Sequence, residues 1–447
     1  MIRLLLLTLL LLPINSFAQE KYETIHNLKV NTQIPAKIIR TDYYQIDPVV
    51  GSNGFLNIYT IKSDFGEYKA IGNLSLLIVL RELYALNELK NLSKSQVFIE
   101  AAANSATGSI NSMFQVATKP VETAKGVPGG VSRLFKRTKD TTEDVYEGSK
   151  KAAGDATSYV TGSDNKDDTN EGKDEDDKNL GETAVDTSGK AADWYFGVSA
   201  GQRKWAKKLG VDPYTKNELL QNALREVAKI DRAGNFAVRF APIPRIPGSN
   251  YINMANDAIW NLSYQELLEQ NVAKLSELGI DEATIEKFLT NKLYSPMMQT
   301  YLISAVLQLE NVENRSILIE LAYTKETEDF ARFYLETVIL MTWFDLQKEK
   351  LAEIRSFGEL PYFIDQKGRL ILLMPVDYLF WTKELAGMAA DMTSNINKDN
   401  KGEKDAFFLG DLSPLSESGM ENLGWIVEDE LNERTKQFRD KYLGVVE

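Results

Sequence analysis

The spacing of apolar and polar positions changes several times along the chain, and each change predicts a different kind of element. Residues 19 to 72 have the period of strands. Ile34 to Asp47 and Phe55 to Gly72 predict a small sheet. The second stretch carries Phe55, Ile58, Tyr59 and Ile61 before a Ser63-Asp64-Phe65-Gly66 turn, and Val49 to Gly54 reads as the turn between the first two strands. A helix runs on from near Asn73 towards Leu92, because Leu76, Leu77, Leu80, Leu83, Tyr84 and Leu86 share one face.

Residues 99 to 190 lose that regularity. Ala, Gly, Ser and Thr dominate the first part, and from Asp164 to Asp186 the chain is acidic with almost no apolar residues. Such a stretch cannot offset its ordering entropy, so it predicts a disordered linker. Periodic character resumes at Trp194. Leu219, Leu220, Ala223, Leu224, Val227 and Ile230 form a helical stripe after the Asp212-Pro213 turn, and the Pro-rich run Ala241 to Gly248 is an extended connector.

From about Asn253 to Ser356 the period is helical throughout. Ser263 and Glu266 form a capping box, Asp281 caps the next helix, Ser295-Pro296 opens a third and Asn314 a short fourth. A fifth runs from about Glu326 to Leu351, apolar almost all round near its middle. The period then turns strand-like in Leu360 to Asp365, a Gln366-Lys367-Gly368 turn, and Arg369 to Trp381, which predicts a β-hairpin near 360–374. After a helix to about Ile396 and a polar gap, Leu423, Val427, Leu431, Phe438 and Tyr442 predict one C-terminal amphipathic helix.

The expected fold class is mainly α with minor β: a small N-terminal α+β unit (19–98), a low-complexity segment and acidic linker (99–190), a connector (191–252), a helical bundle with the hairpin insert (253–396), and a polar gap with the last helix (397–447).

Residues 1–18 stand apart. Arg3, the apolar run Leu4 to Leu12, Pro13, and small residues Ser16 and Ala18 make the pattern of a signal peptide cleaved after Ala18. That apolar run is far short of the roughly 20 residues a bilayer span needs. A bacterial periplasmic or secreted location is the expectation. The chain has no cysteine, so neither disulfides nor a lipidated cysteine are available.

Composition narrows the chemistry further. A net charge of −13 argues against a nucleic-acid partner, whose phosphates are bound by cations. With one histidine, His26, and no cysteine, histidine-pair and thiolate metal sites and thiol proteases lack their residues. The one Ser-x-x-Lys spacing, Ser163 to Lys166, falls in the acidic linker, and the acids there miss the alternating calcium-loop positions. No phosphate-binding glycine loop is present. No cofactor and no metal are expected.

Carboxylates remain as candidate catalysts. Asp377 and Glu336 stand in apolar surroundings, where burial would raise their pKa. Their structural reading is that Asp377 caps a helix beginning after Pro375 and that Glu336 pairs with Arg332. The basic cluster Arg133, Lys136, Arg137 and Lys139, beside Leu134 and Phe135, is the candidate contact for an anionic membrane surface. The aromatic group Trp194, Tyr195, Phe196 and Trp205 reads as docking core before ligand platform. The leading functional reading is an exported, non-catalytic scaffold or binding protein with an unknown protein partner. A carboxylate-based hydrolase is the alternative, and a peripheral membrane-surface protein the third.

Overall fold

A computed structural model describes residues 21–103, 193–234, 250–399 and 402–442. The fold is mixed α/β, 54% helical and 18% strand, which corrects the mainly α expectation.

The N-terminal sheet is antiparallel. Strands β1 (Leu28–Lys29), β3 (Val49–Ser52), β4 (Asn57–Ser63) and β2 (Tyr44–Ile46) lie side by side, and β5 (Gly66–Ile71) also pairs with β4. Val49–Ser52, expected as a turn, is strand β3, with Gly51 opposite Ile58. The chain reverses one step later, where Asn53 Oδ1 accepts from the backbone N–H groups of Phe55 and Leu56. A four-residue helical turn, α1 (Val30–Gln33), links the first strands. Helix α2 (Asn73–Leu92) stands as predicted and buries Leu76, Val79, Leu83 and Leu86.

The helical layer contains α3 (Gln96–Ala103), α4 (Asp193–Phe196), α5 (Ala200–Leu209), α6 (Glu218–Gly234), α7 (Asn250–Asn261), α8 (Tyr264–Glu277), α9 (Glu282–Leu289), α10 (Pro296–Gln308), α11 (Ile317–Tyr323) and α12 (Glu328–Gln347). The predicted caps at Ser263, Asp281 and Ser295 are all in place. Asn314 is not a cap. Its φ of 60° places it in the left-handed region, in the turn ahead of α11, and its side chain bonds Glu353 instead.

Helix α12 ends at Gln347 and leads into a second sheet. Its strands are β6 (Leu351–Phe357), β7 (Leu360–Asp365), β8 (Leu370–Met374), β10 (Lys404–Phe408) and β12 (Ile426–Glu428), in the spatial order β12-β10-β8-β7-β6. The hairpin stands as β7 and β8, but it is part of this larger sheet. Strand β8 is buried on both faces. Ile371 and Leu373 join the main core with α12, while Leu370, Leu372 and Met374 join a second core under α13 (Lys383–Asp399). An uninterrupted apolar run is what a doubly covered central strand requires.

The expected single C-terminal helix is three elements: α14 (Pro414–Asn422), β12 and α15 (Asn432–Tyr442). Gly424, at φ 85°, turns the chain out of α14 into the strand. A two-stranded pair, β9 (Tyr378–Leu379) with β11 (Asp411–Leu412), closes the end of the sheet. The main core is continuous from Val30 and Ile46 through α2 and the helical layer to Leu431 and Phe438.

Candidate functional site

A cavity of about 200 Å³ lies where α2, the loop after α5, and the starts of α10 and α12 meet. On α2 its lining residues are Leu74, Leu77, Ile78, Val79, Arg81 and Glu82, of which Leu74, Leu77, Ile78, Arg81 and Glu82 share one face by the three-and-four spacing of a helix. Helix α10 adds Met297, Met298 and Tyr301, and α12 adds Glu328, Arg332 and Leu335. The walls are therefore largely apolar, with charged groups at separate points.

The loop from Gly210 to Asn217 is fixed by its own sequence. Gly210, at φ 68°, ends α5 in the left-handed conformation that glycine adopts without strain. The Asp212 carboxylate accepts from the Tyr214 N–H (2.8 Å), which tightens the Asp-Pro turn. Asn217 Oδ1 accepts from the Leu220 N–H (3.2 Å) at the start of α6, and Gln221 Nε2 donates to the Pro213 carbonyl (2.7 Å).

Three carboxylates line this cavity, Glu82, Asp212 and Glu328, and the first two have their pKa raised by burial. Glu82, buried, accepts from the Thr215 hydroxyl and from Asn217 Nδ2 (3.1 Å), so it ties α2 to the loop. Burial raises its pKa against the opposing effect of those bonds and of Arg332. Burial likewise pushes Asp212 up to about 6, against a hydrogen bond from Ser295, the Tyr214 N–H and the charges of Arg332 and Lys216.

The cations are placed differently. Arg332 donates to Ser75 Oγ (3.1 Å) and pairs with Glu328, which also takes Lys216 Nζ at 3.1 Å. Arg81 forms no hydrogen bond or ion pair with a described residue. Burial pushes it down to about 10, with the Asp440 charge and Tyr301 acting the other way.

Neither acid named from the sequence lines this cavity. Asp377 caps a helix, but not the one expected, since β9 rather than a helix comes after Pro375. Its carboxylate accepts from the backbone N–H of Asn57 (2.8 Å) and of Asn73 (3.1 Å), at the start of α2. The N-cap residue of α2 is Gly72, at φ 90°, which has no side-chain oxygen of its own to offer. Burial pushes Asp377 up to about 7, and the nearby Glu336 charge adds to the rise.

Glu336 pairs with Arg439 of α15 and not with Arg332, which is engaged by Glu328 one turn before it. Its pKa is raised by burial, against the pull of that guanidinium. Both acids thus serve as fastenings between elements far apart in the chain.

His26 is exposed, with its ring edge-on to Phe380 at 4.9 Å. Of the aromatic group, Tyr195 and Trp205 are buried as expected of docking core, while Phe196 is exposed beside Tyr264. Arg133, Lys136, Arg137 and Lys139 lie outside the described residues. Among the described residues, no group of His, Asp or Glu side chains converges as metal ligands, and no helix is long and apolar enough to cross a membrane.

The acids that line the cavity were visible in the sequence only as interruptions. Glu82 sits four residues from both Ile78 and Leu86, and Asp212 precedes a proline. An acid within an apolar helical face was the available signal. The chain has no significant match among protein-family models, curated proteins or solved structures.

Proposed function

We propose that this chain is an exported, non-catalytic binding protein whose ligand is a small molecule held in the cavity beside α2. The cavity itself carries the reading: about 200 Å³, apolar on most sides, with a few charged groups at fixed points, the usual make-up of a ligand site. Export rests on the Met1 to Ala18 pattern. A protein partner has less support, because the exposed large apolar residues, such as Val49, Tyr84 and Ile426, sit on different elements.

The test is the thermal stability of the full chain in the presence of short aliphatic alcohols. A ligand that binds only the folded state at a hundred times its Kd adds about 2.7 kcal/mol, a rise of several degrees in Tm. Leu77→Trp and Ile78→Trp, each filling the cavity from α2, abolish the rise while leaving the far-ultraviolet circular dichroism unchanged. A rise that survives both substitutions places binding elsewhere and removes this reading.

A second reading, a carboxylate-based hydrolase, has one supporting observation: Glu82 and Asp212 both enter the cavity with pKa raised by burial. Against it, each acid is already engaged by hydrogen bonds from the loop, which favours a structural use.

A further inference from the structure

We infer that the ligand of this cavity is an amphiphile with an anionic head, a single-chain carboxylate of about eight carbons, with its head group on Arg81 and its chain along the apolar face of α2. The inference rests on the cavity being a ligand site, as proposed above.

The first argument is a matching of charges. Glu328 is shared between Arg332 and Lys216, Glu82 between Thr215 and Asn217, and Asp212 is bonded by the Tyr214 N–H. Arg81 has no such counterpart among the described residues. Its closest acidic influence, Asp440, is itself paired with Lys436 at 3.5 Å. A guanidinium held in a partly apolar lining without a counter-ion is under-satisfied, and it presents a fork suited to a carboxylate. The lowered pKa of Arg81 is the same fact seen from the proton.

The second argument is alignment. Leu74, Leu77, Ile78 and Arg81 succeed one another along one face of α2. At the rise of an α-helix they extend over about 10 Å, so a chain laid along Leu74 to Ile78 brings its head to Arg81. Met297 and Met298 face this run from α10. Their unbranched, polarisable side chains adapt to a flexible alkyl chain better than branched residues would.

The third argument is size. A cavity of about 200 Å³ has room for roughly seven waters at about 30 Å³ each, enough for a molecule of about ten non-hydrogen atoms but too small for a long-chain fatty acid wholly enclosed.

The experiment is calorimetric titration of the full chain at low salt with octanoate, 1-octanol and octylammonium. Octanoate binds at least tenfold more tightly than octanol. Arg81→Gln brings octanoate to the level of octanol and leaves octanol unchanged, while Arg81→Lys keeps most of the preference. Should Arg81→Gln fail to fold, the lysine variant together with loss of the octanoate preference at high salt supplies the same reading. Equal affinity of octanoate and octanol, or tightest binding of octylammonium, overturns the anionic head while sparing the cavity. Absence of binding by all three overturns the cavity reading itself.

Discussion

At the scale of single residues, the informative groups are acids removed from water. Asp377 holds two backbone amides, Asn57 N–H and Asn73 N–H, that have no other acceptor offered by their own segment. Asp377→Ala leaves both without an acceptor and lowers stability by about 3 kcal/mol or more, measured by denaturant unfolding. Asp377→Asn keeps an acceptor and costs less. The proton behaves in a defined direction. The folded-state pKa, about 7, lies above the ordinary aspartate value of 3.8, so between the two the folded state retains a proton that the unfolded state has released. This contribution favours the fold at the acid end of that window and is lost as pH rises towards 7. The groups that tune it are Glu336, Arg439 and the two amides. Between pH 5.5 and 7.5 the native chain loses on the order of 2 kcal/mol from this site, and Asp377→Asn flattens that part of the slope. An unaltered slope in the asparagine variant would assign the effect to Glu82, Asp212 or Glu336.

At the scale of elements, the sequence was most legible where local signals agree with tertiary burial. The helix expected from near Asn73 towards Leu92 stands as α2 because its apolar stripe is the face that tertiary packing buries, and the caps at Ser263, Asp281 and Ser295 were readable because each bonds within its own first turn. Strand β6 was not legible. Leu351, Ile354 and Phe357 are spaced by three, as on a helix, because a register shift between Leu351 and Glu353 brings Leu351 and Ile354 into one core while Phe357, on the opposite face, joins the other. Strand β12 was hidden for a similar reason, as Val427 and Leu431 continue a helical spacing that Gly424 physically ends. The cavity was illegible altogether, since it joins α2 to α10 and α12 across more than two hundred residues that no local pattern relates. Two helical glycines make a matched pair of tests. Gly387 in α13 has open space where a Cβ would go, so Gly387→Ala raises stability by up to about 1 kcal/mol. A Cβ on Gly419 in α14 would lie 2.2 Å from the Trp381 ring, so Gly419→Ala displaces that indole and lowers Tm. Equal effects from the two substitutions would contradict the packing of α14 on Trp381.

At the scale of the whole molecule, the N-terminal sheet and α2 depend on distant chain for their polar satisfaction as well as their packing. Asp377 supplies the acceptor at the start of α2, Thr215 and Asn217 hold Glu82 near its middle, and Glu23 bonds the Trp381 N–H and the Ser413 hydroxyl. Residues 21–103 expressed alone therefore stay without cooperative structure, as judged by the absence of a sigmoidal denaturant transition and of amide protection. Supplying residues 193–447 in trans restores protection in α2. A cooperative transition in the isolated fragment would show that the sheet and α2 bury enough on their own.

The bond from Asp377 to Asn73 spans 304 positions in the sequence. Contacts of that separation close late, after the entropy of a very long loop has been overcome. A ribosome releases α2 long before it has made the residue that completes it. Until Asp377 emerges and docks, the amides of Asn57 in β4 and of Asn73 at the start of α2 lack this acceptor, and the N-terminal layer stays open. In a chain threaded head-first across a membrane, as the proposed export requires, this wait keeps the leading segment pliable enough to pass through before the fold shuts behind it.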